Sequence, residues 1–354
     1  MIVFVGPSPK PITGQSLAFD IITSHYNKKK KVIYYGVNSR SKFLILWGSF
    51  FSFFRFLCFL LIQRNIKTLY LTTSRTTFGF FRDMLFILTA KFFSVKVVNH
   101  LHGADFKGFR SSLSPNLRKL VDYVYKKIDT SIVLLPKMEE QYDMYSSMNI
   151  VSINNCALPI ANLPRNDSLG FFKVLYLSNI MYSKGILFVI EAVDNLVKLG
   201  VRVQLSIAGL PMGDDYKSVD EIQSIFQEMI TNKSHIEYLE AVTGTVKEQL
   251  LIDSDVFILP SFYKTEAQPI SIIEAMLSGC AVITTKHNYL SDIVNTNSGF
   301  AIEPRSAKEI ESSLLELITN ETKLKDMANY NKSYAEEHYS LDKYVRQISA
   351  VLDT

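Results

Sequence analysis

Glu266 and Glu274 lie eight residues apart in the run Thr265-Glu266-Ala267-Gln268-Pro269-Ile270-Ser271-Ile272-Ile273-Glu274-Ala275-Met276. The spacing predicts one carboxylate on a loop and the other on the helix that follows. Pro269 suits the first helical turn, where its missing N–H costs nothing and its φ is already helical. Gly279 suits the helix end, where a left-handed residue is usually needed. Ile270, Ile273, Met276 and Leu277 make this short helix apolar, so Glu274 is expected to be largely buried, with no neutralising partner near it in sequence. A buried carboxylate is costly without donors. A ligand carrying a vicinal diol would supply two.

Three further clusters bear on the same chemistry. In Leu177-Ser178-Asn179-Ile180-Met181-Tyr182-Ser183-Lys184-Gly185 a strand turns into a helix. Ligands of open α/β sheets gather at the carboxyl ends of strands, which puts Lys184 where a phosphate would bind. In Asn99-His100-Leu101-His102-Gly103-Ala104-Asp105-Phe106, alternation puts His100 and His102 on one side of a strand end, and Gly103 admits a close neighbouring backbone. Gly6-Pro7-Ser8-Pro9 through Gly14-Gln15-Ser16 forms a loop ahead of the first helix, whose N–H groups could receive a phosphate or an acceptor hydroxyl.

These residues need a scaffold, and the hydrophobic pattern describes one. Strand-like runs at 2–5, 32–35, 68–71, 95–99, 131–135 and 151–153 are followed by a second series at 173–177, 204–208, 236–239, 256–259 and 281–284, with helical segments between them. Such alternation predicts an α/β protein with two parallel sheets, each in a Rossmann-like domain. Pro159, Pro164, Asn166 and Asp167 mark 159–169 as the linker. Domains are expected over 1–160 and 170–338.

Hydrophobic residues at 47% and charged residues at 20% describe a globular chain rich in apolar side chains. Cys58, Cys156 and Cys280 are distant, odd in number and set in apolar runs, the pattern of reduced packing residues in a reducing compartment. No signal peptide is expected at the amino terminus. Residues 1–165 hold 22 Lys/Arg against 8 Asp/Glu, and the remainder 16 against 26. That segregation points to an anionic partner for the first domain alone. Nucleic acid would satisfy it, but no recognition motif or aromatic-basic interleaving supports that partner.

The window Phe43–Ile62 is interrupted only by Gly48, Ser49, Ser52 and Arg55. A membrane span would separate the first strands from the rest of their sheet. Two readings remain: a helix buried in the first domain, or one lying on an anionic membrane with Trp47, Arg40, Lys42, Arg64 and Lys67 at the headgroups.

Taken together these motifs resemble the retaining GT-B glycosyltransferases of the E-x7-E type, called glycosyltransferase family 4. The resemblance spans the chain and is most specific from Phe257-Ile258-Leu259-Pro260-Ser261 through Ala275-Met276-Leu277-Ser278-Gly279-Cys280-Ala281-Val282. It implies two Rossmann-like domains facing across a cleft, with a terminal helix (339–354) returning to the first. It implies a nucleotide-diphosphate sugar as donor substrate, with no separate cofactor, and the basic first domain with its Phe-rich helix points to a glycan or polyprenyl-linked acceptor in bacterial surface-polysaccharide biosynthesis. It further implies that Glu274 accepts the ribose hydroxyls, that Glu266 contacts the donor sugar, and that the N–H groups of Ala267, Gln268 and Ile270 face sugar and pyrophosphate. Lys184 would neutralise the pyrophosphate and His102 would hydrogen-bond the sugar, while Ala241 and Val242 would border the base. The family commonly has Arg where Asn179 stands and Gly where Ser178 stands, so a bidentate phosphate contact is missing. Either Lys184 then acts with a helix N-terminus and Lys264, or donor binding is weaker than in the Arg-containing members.

Asp253-Ser254-Asp255 has a metal-binding pattern known from another transferase fold, but it leads into a buried strand, and no metal is expected. A nucleotide-sugar epimerase would share the fold but need a further acid/base set. A non-catalytic subunit of a transferase complex would keep the fold without the intact carboxylate pair.

Overall fold

The structure is a computed structural model that describes residues 1–10, 13–35, 42–63, 65–166 and 170–354, with helical side chains after 42 described from Trp47 onward. Arg40, the Lys42 side chain, Arg64 and Asp167, named above, lie outside the described residues. The chain divides into two compact units, Met1–Asn155 with Asp342–Thr354, and Cys156–Leu341. The division falls just ahead of the Pro-containing stretch 159–169. Cys156 and Ala157 are buried, and the Ala157 N–H donates to the Tyr339 carbonyl at 3.4 Å within the second unit.

The first unit alternates β1 (Ile2–Pro7), α1 (Gly14–His25), β2 (Lys30–Tyr35), α2 (Lys42–Ile62), β3 (Thr68–Thr72), α3 (Thr77–Phe92) and β4 (Lys96–His100). It continues with α4 (Phe106–Ser112), α5 (Pro115–Tyr125), β5 (Thr130–Val133) and β6 (Asn149–Ser152). All six strands are parallel in the order β2-β1-β3-β4-β5-β6. Helices cover both faces of such a sheet, so its central strands read as unbroken apolar runs; β3 and β5 are buried throughout.

The second unit runs β7 (Phe172–Leu177), α6 (Ile186–Lys198), β8 (Val203–Ala208), α7 (Val219–Ile230), β9 (Ile236–Tyr238), α8 (Gly244–Asp253) and β10 (Val256–Leu259). Then follow α9 (Ile270–Leu277), β11 (Ala281–Thr285), β12 (Gly299–Ile302), α10 (Ala307–Thr319) and α11 (Glu321–His338). Its parallel order is β12-β11-β10-β7-β8-β9, which reverses between β7 and β10. The edge strand β12 is the one the apolar pattern did not predict: it is four residues long and opens on glycine.

The last helix, α12 (Leu341–Asp353), belongs to the first unit from Asp342. The Tyr344 hydroxyl donates to the Ala18 carbonyl at 3.2 Å, and the Thr68 hydroxyl donates to the Leu352 carbonyl at 3.2 Å. Asp353 accepts from the Tyr26 hydroxyl at 2.8 Å and from Lys28 at 2.7 Å.

The helix α2 has one face inside and one outside. Phe56 and Leu60 are buried, and Phe53 and Phe56 meet Phe86 of α3 with ring centroids 5.7 and 5.2 Å apart. Trp47, Phe50, Phe51 and Phe54 are all more than half exposed, so enclosure of the whole helix within the domain is ruled out. Among the described residues no helix is long and apolar enough to cross a membrane.

Candidate active site

The reversal of strand order in the second sheet leaves a gap between the loops that leave β7 and β10, the place where doubly wound sheets bind ligands. Both loops are built to meet there. After β7 a short turn, Tyr182–Lys184, ends at Gly185 with φ 80°. A Cβ on Gly185 would lie 2.4 Å from the Pro260 carbonyl oxygen, so only glycine lets this turn seat against the exit of β10. The Phe262 N–H donates to the Ser183 carbonyl at 2.7 Å, and the Ser183 N–H donates to Asp214 at 2.7 Å.

This arrangement delivers Lys184 to Glu266, 82 residues away, as a close ion pair with side chains only 13% and 10% exposed. The Ser261 hydroxyl donates to the same Glu266 carboxylate at 2.7 Å. Lys184 also stands over the Tyr263 ring at 5.3 Å. The turn carrying Glu266 is tied from the loop after β11: the Asn288 amide donates to the Lys264 and Glu266 carbonyls at 3.1 and 3.0 Å. Burial raises the Tyr176 hydroxyl well above its usual pKa, and the Glu266 charge pushes the same way.

Glu274 is buried on α9 as expected, yet it is not alone. Lys247 of α8 reaches it at 2.6 Å, which corrects the reading of an unneutralised carboxylate. A carboxylate has about four lone-pair positions, so one ammonium leaves room for a diol. Pro269 proves to be the N-cap of α9, with ψ 125°, and not part of its first turn. No side chain caps the helix there. At the other end Gly279 has φ 80°, and the Gly279 and Cys280 N–H groups donate to the Met276 and Ala275 carbonyls at 3.0 Å each. These bonds form a Schellman closure around the left-handed residue expected at Gly279.

The remaining residues of this unit are placed as follows. Ala267, Gln268 and Ile270 are buried around the start of α9, and the Gln268 side chain hydrogen-bonds Tyr339. Asn179 is exposed; its amide donates to the Met212 sulfur at 3.3 Å and not to the Lys184–Glu266 pair. Ala241 is exposed and Val242 half-buried in the turn after β9. Lys264 pairs with Asp215 at 2.6 Å on the surface. Asp253 and Asp255 are spent on structure: Asp253 accepts from the Asn166 N–H at 2.7 Å, and Asp255 accepts from the Lys173 N–H at 2.8 Å and pairs with Arg165.

In the first unit, Gly14 opens α1 itself, and the loop inferred to run through Ser16 ends earlier. Thr13 caps the helix, and Thr13 and Ser16 satisfy each other's N–H groups. His102 lies beyond β4, its ring 4.0 Å from that of His100. The His100 Nδ1 meets the Tyr70 hydroxyl at 2.5 Å. Both ring nitrogens of His102 are shielded from solvent and have no hydrogen-bond partner. Burial lowers the His102 pKa to about 3, with the Arg75 cation adding to the effect, so the ring is neutral near pH 7. Burial holds His100 well below its usual value too. The space beside Gly103 is filled by the Arg75 guanidinium, which pairs with Asp105, and not by a neighbouring backbone.

Residues 165–334 match the family model described as "Glycosyl transferases group 1". Among solved structures the chain resembles the Anabaena protein Alr3699/HepE, crystallised with UDP, at 16% identity and a TM-score of 0.76, with 99% of each chain covered. A glycosyltransferase from Rickettsia africae aligns at 15% identity and a TM-score of 0.74, over 99% of this chain and 97% of that one. Sucrose-phosphate synthase from Thermosynechococcus elongatus aligns at 13% identity and a TM-score of 0.74, with the same coverages. No curated protein matches by sequence. The likenesses show the fold, GT-B with two Rossmann-like domains, and the family model matches the second unit.

Proposed function

We propose that this chain, with the group 1 glycosyltransferase signature in its second unit, transfers a hexose-type sugar from a nucleoside-diphosphate donor to a glycan or lipid-linked glycan. The setting we propose is the cytoplasmic face of a membrane, in surface-polysaccharide biosynthesis. One observation carries the reading: a largely shielded lysine and a buried carboxylate meet where the strand order of the second sheet reverses.

In this reading the free enzyme stores the Lys184 charge on Glu266. Donor binding moves the ammonium to the pyrophosphate, beside the N-terminus of α9 with the N–H groups of Ala267, Gln268 and Ile270. Glu266 is released to the sugar hydroxyls. Glu274, held by Lys247, accepts the ribose diol, and Val242 borders the base. Asn179 leaves the pyrophosphate to Lys184 and the helix. His102, as a neutral imidazole, both donates to and accepts from sugar hydroxyls. Gly14 and the start of α1 receive the acceptor. The bond from the anomeric carbon to the β-phosphate oxygen breaks, and the acceptor oxygen bonds to that carbon from the same face. The departing phosphate oxygen takes the acceptor's proton, so configuration is retained without a covalent enzyme intermediate. Charge builds on the leaving group, where electrostatic stabilisation is usually the largest catalytic contribution.

A panel of nucleotide sugars, incubated without acceptor and read by mass spectrometry, tests the proposal. Slow release of one nucleoside diphosphate and free sugar is expected; conversion of a donor into its epimer, or no binding of any donor, would refute it. Two substitutions sharpen it. Glu274→Gln turns one diol acceptor into a donor and should raise the donor KM about tenfold, in line with the ~1–3 kcal/mol cost of an unmatched buried polar group. An unchanged KM removes the diol role. Glu266→Gln frees Lys184 from its ion pair, so nucleoside diphosphate should bind more tightly by calorimetry while sugar transfer falls. Weaker diphosphate binding would contradict the stored-charge picture.

A further inference from the structure

Among the described side chains of α2, the exposed large apolar ones, Trp47, Phe50, Phe51, Phe54, Leu61 and Ile62, share one face of the helix. The opposite face, with Ser49, Ser52, Phe56 and Leu60, is buried. On the neighbouring α3, Phe78, Phe81, Leu85 and Phe92 form a second exposed stripe, with Phe80, Phe86 and Ile87 on the inner side. Two adjoining helices of one unit thus turn large aromatic side chains to solvent, where a folded monomer normally keeps such patches small.

Charge identifies what covers them. Residues 21–82, which contain α2 and the start of α3, hold 11 Lys/Arg and no Asp/Glu. Arg55 is exposed beside the α2 stripe, and the Lys31 ammonium lies 5.6 Å from the Phe59 ring centre. A protein partner with an apolar face would not require 62 residues free of acidic side chains. A bilayer with anionic headgroups accounts for both features: acyl chains for the rings and phosphates for the cations.

We propose that α2 and α3 form an interfacial docking surface on which the first unit lies on an anionic lipid bilayer, the α2 axis parallel to its plane. Rings on such helices enter about 5–10 Å, to the headgroup–acyl boundary. Each Lys or Arg near the surface adds to the attraction, which falls off within a Debye length. The inference stands on the first unit alone and does not depend on the donor chemistry of the second.

Trp47 is the chain's single tryptophan, so its fluorescence reports this surface directly. Vesicles of equimolar phosphatidylglycerol and phosphatidylcholine should shift its emission to the blue, and brominated acyl chains should quench it. Phosphatidylcholine vesicles, or salt at about 1 M, where screening acts within ~3 Å, should abolish most of the shift. The variant Phe50→Ser/Phe54→Ser should partition about tenfold less while melting at the parent's temperature, both positions being solvent-exposed. An unshifted Trp47, or equal binding by the variant, overturns the proposal. So does light scattering that shows a dimer lost in the same variant, since the stripe would then join two copies of the chain.

Discussion

Replacing Lys184 by alanine is expected to lower turnover by about 10²–10³-fold, the usual cost of removing one preorganised group that meets developing charge. The effect should fall on kcat more than on the donor KM, because the charge on the diphosphate is greatest as the glycosidic bond breaks. Stability should drop as well. The substitution strips the cation from a carboxylate that is only 10% exposed, and such losses commonly amount to ~3–5 kcal/mol. The Ser261 hydroxyl at 2.7 Å offsets part of that. Lys184→Met with Glu266→Gln removes both charges and separates the two effects: it should melt close to the unaltered chain yet remain inactive. A folded Lys184→Ala protein with turnover within about threefold of the parent would remove Lys184 from the chemistry.

Much of the scaffold was legible because its signals are local. Parallel strands sheathed by helices are apolar throughout, and the run Val256–Leu259 is a buried strand on its own evidence. Gly279 announced a helix stop through a backbone need that one residue meets. The site was legible in its members and illegible in its pairings. Lys184 and Glu266 each stood out, but their union depends on which strands adjoin, and that follows from the sheet order and not from spacing. Lys247 escaped notice entirely: one cation on a short helix carries no mark of the carboxylate it neutralises 27 residues later. Pro269 and Gly14 were misplaced by a residue or two because capping is decided by local hydrogen bonds. Thr13 with Ser16 settles one case, and the extended ψ of Pro269 the other. Periodicity separated the two faces of α2 no better, since nearly every position is apolar; only the packing of Phe53 and Phe56 against Phe86 tells inner from outer.

Acid should weaken the first unit well before its carboxylates titrate. His102 has a folded pKa near 3, and His100 is likewise held low, both chiefly by burial. In the unfolded chain each would titrate near 6.5. Below about pH 6.5 the unfolded state therefore binds more protons than the folded one, and stability falls as pH falls, by up to about 1.4 kcal/mol per pH unit for each histidine. Above about pH 7 the contribution is complete. Between pH 7 and 5 the loss from His102 should come to about 2 kcal/mol, and His100 acts in the same direction. Urea unfolding followed by Trp47 emission reads the first unit selectively. His102→Gln should flatten the acid-side slope. Identical slopes in parent and variant would mean that the ring is already solvated and titrates as it does in the unfolded chain.

The path of α12 sets the order in which this molecule can be finished. Strands and helices of the first unit leave the ribosome first, but Ala18, Tyr26, Lys28 and Thr68 wait for partners among the final residues described, 344–353. The nascent first half must hold an open seam, with aromatic side chains nearby, until some 186 intervening residues have been made and folded. A ribosome that stalls anywhere in the second unit thus leaves the earlier one unsealed, and the last helix acts as the clasp that closes what was begun first.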